Sequence, residues 1–282
     1  MRTESRDRGR RQQAIMSGIV AVLLICGTAG TNAQLASPGP SGVVMGHLHL
    51  TTKDMEASRR FWAALGGVAV QNGALQLIQF PEMFVMLRQA QQEPLGSEGS
   101  TVERIVLRVR TTEIPQVVQK LEQAMGSKMP SANFTSPEGV SIEFRGATAQ
   151  DPFVRMERIV FKSVAPADAR DWYVRTFGAA PDSQPQPAPD GALSQVPIAR
   201  LPGVAMYFDK AASAPAGTRG RGLDHVGFEV KNLEEFCKKL EAAGQKFDRP
   251  YTRLPNSTTA IAFLTDPWGT YLELTENLAP PK

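Results

Sequence analysis

The residues of this chain best suited to bond-making chemistry are three histidines and a few carboxylates set among apolar strand residues. His47 and His49 lie in Val43-Val-Met-Gly-His-Leu-His-Leu50, and residues i and i+2 of a strand share a face. His225 lies in Gly222-Leu-Asp-His-Val-Gly-Phe-Glu-Val230, where Val226, Phe228 and Val230 alternate as in a half-buried strand. Glu273 stands between Leu272 and Leu274, and Glu143 between Ile142 and Phe144. A glutamate in such a strand is either turned to solvent or paired inside. Imidazole nitrogen together with carboxylate oxygen suits Fe, Mn, Zn or Ni. Each histidine also has a plain reading, as a structural ring with satisfied hydrogen bonds. No other catalytic constellation is present: no glycine-rich phosphate loop, no Cys–His pair in a supporting context, no Gly-x-Ser-x-Gly.

The elements that must position these groups recur along the chain. After the His225 strand, Asn232 is placed to cap a helix whose Leu233, Phe236, Leu240 and Ala243 fall at helical spacing, and Gly244 ends it. Asp266-Pro-Trp-Gly269 is a tight turn leading into the Glu273 strand. The same order of strand, helix, glycine and closing strands is read three times earlier. One module runs over 43–88, with Asp54 as its helix cap; the next over 102–146, with Pro115 in the first helical turn; the third over 156–208, with Trp172, Tyr173 and Phe177 on its helix. From His47 to Gly66, Arg104 to Gly126, Arg158 to Gly178 and His225 to Gly244 the separations are 19, 22, 20 and 19 residues. Such regularity marks an internal repeat. A single module leaves one sheet face uncovered, so modules must pair to build a core. The Pro-rich stretch Ala179 to Pro197 reads as solvated coil. The tryptophans and aromatic helix residues read as core.

This βαβββ unit resembles the repeating module of the vicinal oxygen chelate superfamily, the glyoxalase, bleomycin-resistance and extradiol-dioxygenase group. The resemblance covers nearly all of the chain beyond its leader. It implies an α+β fold of four βαβββ modules forming two domains, at 42–147 and 154–277. It also implies that metal ligands come from one position on the first strand and one on the last strand of each module. Those positions here are His47, Arg104, Arg158 and His225, then Met86, Glu143, Met206 and Glu273. Guanidinium groups do not ligate metals. Sequential pairing of modules, the commoner arrangement in tandem members, would leave one His and one carboxylate in each cup. Crossed pairing would bring His47, His225 and Glu273 together, the two-His-one-carboxylate set of non-haem metal enzymes. His49 would then serve as base or substrate contact, and Arg104, Arg158, Glu143, Met86 and Met206 would line ligand sites. Two functions follow. One is a lyase, isomerase or dioxygenase that uses a divalent metal on a small oxygenated molecule. The other is a metal-free protein of bleomycin-resistance type, with no cofactor, that sequesters an amphipathic ligand against Arg104 or Arg158.

The totals narrow the partners. The net charge is +3, but residues 1–33 hold five arginines against Glu4 and Asp7, so the remainder is close to neutral. There is no basic field for nucleic acid or an anionic membrane. The Arg-rich head, the apolar run Ala14 to Cys26 and the small residues up to Ala33 read as an export signal, with 34–41 as linker. The expectation is a periplasmic or secreted protein, free of the membrane once the signal is cleaved, acting on a small molecule. Cys26 and Cys237 do not make a disulfide framework, and Cys237 reads as a buried helix residue.

Overall fold

The computed structural model describes residues 35–130, 132–187 and 193–280. The expected export signal lies outside these residues. Module one comprises β1 (Val43–Thr52), α1 (Met55–Ala64), β2 (Val68–Asn72), β3 (Leu75–Phe80) and β4 (Met83–Gln89). Module two comprises β5 (Val102–Arg110), α2 (Ile114–Met125), β6 (Asn133–Thr135) and β7 (Ser141–Ala147). Module three comprises β8 (Val154–Ser163), α3 (Pro166–Phe177), β9 (Ala180–Pro187), β10 (Leu193–Leu201) and β11 (Val204–Lys210). Module four comprises β12 (Leu223–Val230), α4 (Leu233–Ala242), β13 (Arg249–Arg253), β14 (Ala260–Thr265) and β15 (Tyr271–Glu276). The fold is α+β, and three modules are βαβββ as expected. Module two has two strands after its helix among the described residues, one fewer than the repeat predicts.

Local chemistry accounts for most boundaries. Asp54 accepts a hydrogen bond from the Ala57 backbone N–H at the start of α1, and Pro115 sits in the first turn of α2, where a missing N–H costs least. Gly126 and Gly178 close α2 and α3 in the left-handed region, at φ +68° and +66°, which glycine adopts without Cβ strain. Asn232 departs from its expected capping role. Its side chain makes no cap bond and its backbone is left-handed, while its N–H donates to Glu276 Oε1 at 3.0 Å. The stretch 179–197 is also not coil. Its described residues form β9 and β10, an antiparallel pair at the sheet edge. Pro181, Pro185 and Pro187 share one parity on the outermost strand, the place in a sheet where missing N–H groups are tolerated.

The sheets decide how modules combine. One sheet has the order β13-β14-β15-β12-β1-β4-β3-β2, and the other β6-β7-β5-β8-β11-β10-β9. Module one therefore joins module four, and module two joins module three. The sequential pairing expected for a tandem chain is not the one formed, and the ranges 42–147 and 154–277 each contribute to both sheets. In each sheet the two modules meet through their first strands, β1 with β12 and β5 with β8, both antiparallel. The intervening segments also meet: Ser100 bridges to Ala216, and Thr101 N–H donates to the Ala216 carbonyl at 2.8 Å. The described residues make one compact unit.

One continuous apolar core takes the helix-facing side of both sheets. It includes Phe61 and Trp62 of α1, Leu121 of α2, Tyr173 and Phe177 of α3 and Cys237 of α4. Removing a large aromatic from such a core typically costs about 3–5 kcal/mol. The opposite faces form the cups. A bulge sets which β1 residues face which way. Met45 pairs with Phe228 and His47 with Gly227, so β1 has one extra residue at Gly46. A Cβ on Gly46 would lie 2.9 Å from the Glu229 backbone nitrogen. Val43 and Met45 before the bulge, and Leu48 and Leu50 after it, all enter the core. His47 and His49 are thereby turned to the cup.

Candidate metal centre

The strand registers show which positions correspond. His49 is opposite Met86 in the β1–β4 pair, and Gly227 is opposite Glu273 in the β12–β15 pair. His47 thus corresponds to His225, and Met86 to Glu273. In β5–β7, Val106 is opposite Glu143, so Arg104 holds the same place. In β8–β11, Val160 is opposite Tyr207. The residue that corresponds to Glu273 in module three is therefore Tyr207 and not Met206. Met206 faces the helices, fully buried in the main core, so it lines no ligand site. Sequence alone missed this because a strand slip of one residue exchanges the two faces.

The cup of modules one and four gathers one donor atom each from His47, His49, His225 and Glu273, all within 4.8 Å of one another. His47 Nε2 and His225 Nε2 each lie 2.9 Å from Glu273 Oε2. Cis ligands of an ion bound at about 2.1 Å are separated by about 3.0 Å, so each of these histidine nitrogens already stands at coordination spacing from the carboxylate. Three adjacent strands supply them: β1, β12 and β15. Close approach of β1 to β12 depends on Gly227, since a Cβ there would lie 2.0 Å from His47 Cε1. His225 Nδ1 donates to Asp224 Oδ1 at 2.7 Å. This leaves Nε2 to face the cup, the arrangement that carboxylate partners impose on metal-binding histidines. Sequence reading overlooked Asp224, although it directly precedes His225.

The electrostatics fit a cationic guest. Burial works against ionising Glu273, but hydrogen bonds from His225 and His47 outweigh it and hold the carboxyl well below its usual range. Burial likewise opposes a charge on His225, yet the hydrogen bonds to Asp224 and Glu273 prevail and raise its pKa. Asp224 is lowered, because hydrogen bonds from His225 and the Gly220 N–H overcome its burial. His49 behaves oppositely: burial, then the neighbouring His225 and His47 rings, push it down to about 3. It is neutral across the physiological range. Among the described residues, His47 Nδ1 and both ring nitrogens of His49 are buried without a hydrogen-bond partner, and orphaned polar atoms of this kind are costly unless something binds them. The donor types, their spacing and these free nitrogens fit a divalent ion.

The second cup is built differently. Arg104 Nε lies 3.2 Å from Glu143 Oε2, and Arg145 Nε donates to Glu143 Oε1 at 2.8 Å. Arg158 pairs with Glu157, which also accepts from Arg108 Nε at 2.9 Å. The Arg158 guanidinium also lies 4.1 Å from the Tyr207 ring centroid. Val106, Val160, Ile198 and Tyr207 form a small apolar cluster beside it. Arg104, Glu143 and Arg158 are thus engaged with one another's neighbours, and Met86 lies in the other cup, against His49.

The paired modules one and four thus offer two histidines and a carboxylate that could hold a metal ion. Residues 159–274 match the model described as the Glyoxalase/Bleomycin resistance protein/Dioxygenase superfamily. That segment is less than half of the chain, and the fold of the whole is similar to that of glyoxalase-like proteins. The matched segment spans modules three and four, which lie in different sheets. Glyoxalase I from Zea mays is similar in structure, at TM-score 0.63 and 15% identity over 83% of this chain and 92% of that one. A putative dioxygenase from Bacillus subtilis subsp. subtilis str. 168 is similar at TM-score 0.59 and 14% identity, over 88% of this chain and 87% of that one. No curated protein matches the chain in sequence.

Proposed function

We propose that the chain is a metal-dependent enzyme of the vicinal oxygen chelate type, with its centre in the cup of modules one and four. The observation that carries this reading is the convergence of His47 Nε2 and His225 Nε2 on Glu273 Oε2, each at 2.9 Å. The two-His-one-carboxylate set is the one associated with non-haem Fe(II) oxygenases, so a dioxygenase reaction is favoured over a lyase or isomerase. An ion held there by His47, His225 and Glu273 would supply Lewis acidity to an oxygenated substrate. The chain's own residues do the rest. Asp224 fixes the His225 ring. His49, neutral and with both nitrogens free, accepts a proton or a hydrogen bond from a substrate hydroxyl. The sheet face and Met86 exclude water from one side.

The His49 role has a direct test. His49→Gln should keep its metal content within about twofold of wild type and lose activity by roughly 10²-fold or more, the usual range for a proton-transfer group. Loss of the metal in that variant would make His49 a ligand instead.

The metal-free sequestration reading has less support. It relied on Arg104 or Arg158 meeting an anion, and these side chains are paired with Glu143 and Glu157. Export remains part of the proposal, on the Arg-rich head and apolar run of residues 1–33. The mature chain should begin at Gln34. Its measured mass decides, and an intact leader on a cytoplasmic pool would end the idea.

A further inference from the structure

The cup of modules one and four has an asymmetric mouth. It is a cavity of about 690 Å³. On one flank β4 carries Met86 and Arg88, beside β1; on the other, β14 and β13 carry Phe263 and Arg249. Phe263 stacks with Tyr271, with centroids 5.2 Å apart and planes 22° from parallel. The Arg219 guanidinium lies 4.5 Å from the Tyr271 ring centroid.

The charges of this mouth do not cancel pair by pair. Each carboxylate already has partners. Glu273 is held by two histidines. Asp224 accepts from His225, from the Gly220 N–H at 2.6 Å and from Arg88 at 3.1 Å. Asp248 accepts from Thr265 Oγ1 at 2.7 Å and has Arg219 at 3.9 Å. Arg249 is exposed and, among the described residues, its side chain has no ion pair or hydrogen bond. It is the cross-strand neighbour of Phe263, on the same face of the sheet. An unpaired cation thus stands beside an aromatic wall, on the side of the cup away from Met86.

The geometry points to an aromatic carboxylic acid as the substrate class. Its oxygen-bearing edge meets the histidine–glutamate centre, its ring lies along Phe263, and its carboxylate meets Arg249, with Arg219 next to it. A planar guanidinium matches a carboxylate through two parallel hydrogen bonds, and its position at the rim lets the acid stay partly hydrated on entry. The oxygen end of this assignment rests on the metal centre proposed above; the carboxylate end does not.

The test uses the full chain loaded with Zn, which is redox-inert, and a matched pair of probes, 3,4-dihydroxybenzoate and its methyl ester. Isothermal titration should show the acid binding at least about 10-fold more tightly than the ester, the scale of a charge-assisted hydrogen bond. Arg249→Gln should remove that preference and leave the ester's affinity within about twofold. Arg249 is exposed and unpaired, so the variant should fold. Equal binding of acid and ester by wild type, or a preference that survives Arg249→Gln, overturns the proposal. Should the chain take up no Zn, the metal reading fails separately. Benzoate against benzamide on the metal-free protein then decides the anion site, with the same preference and the same loss in Arg249→Gln expected, and equal binding fatal to it.

Discussion

Replacing His225 by alanine should abolish metal uptake. The ring supplies one of the donors that converge on Glu273 and connects two buried carboxylates. Loss of an outer partner of a metal ligand already costs about 10–100-fold in affinity, so loss of the ligand should cost more than about 100-fold. The alanine variant also strands Asp224 and Glu273 as buried carboxylates without their shared ring, which lowers stability. Glu273→Gln separates the two effects. It keeps the side-chain volume and a hydrogen-bonding oxygen, but removes the charge, and it too should lose the metal. Arg104→Ala lies in the other cup, against Glu143, and should keep its metal. The measurement is metal content of purified protein after dialysis against Zn or Fe, with circular dichroism to confirm folding. Wild-type metal content in a folded His225→Ala protein would sink the centre.

A second large effect is expected from one methyl group. Gly227 faces His47 across the β1–β12 pair, and a Cβ there would fall 2.0 Å from His47 Cε1, 2.1 Å from Nδ1 and 2.6 Å from Nε2. No side-chain Cβ tolerates such contacts. His47 is fully buried, so its ring has no open solvent to swing into. Gly227→Ala should therefore expel the His47 ring from the cup or spread the two strands. Overpacking of this kind typically costs about 1–3 kcal/mol, which should appear as a lower Tm. The metal should be lost as in His225→Ala, although no ligand has been changed. A Gly227→Ala protein that binds Zn with wild-type affinity would show that His47 is not a ligand. Gly227 is thus a positioning residue, and its role is space rather than backbone conformation.

The two substitutions differ in how legible their targets were. His47, His225 and Glu273 stood out by residue type and by their place in a repeated pattern. Gly227 did not, because the sequence within its own strand says nothing about which side chain faces it from β1. Asp224 was hidden for a similar reason. An acid next to a histidine in a strand would ordinarily point to the opposite face, and only the folded backbone brings its oxygen 2.7 Å from Nδ1. Sequence points to Met206 where the register puts Tyr207, because register is a two-strand property. The 179–197 stretch reads as coil in sequence because prolines argue against a strand in general, although they are tolerated on an edge.

By itself, then, the sequence determined what depends on neighbours along the chain. Hydrophobic periodicity, the Asp54 cap, Pro115 and the helix-ending glycines mark the modules, because each acts within a turn or two of backbone. It also determined the donor types available, since only three histidines exist. Tertiary structure alone decided whether those donors meet. The joining of β1 to β12 and of β5 to β8 links residues up to 187 positions apart, and both module pairings satisfy the same local pattern. The bulge at Gly46 then turned His47 and His49 toward the cup. Had β1 joined β5 and β8 joined β12 in sequential partnership, the two histidines of the centre would lie in separate cups, and no single ion could bind both.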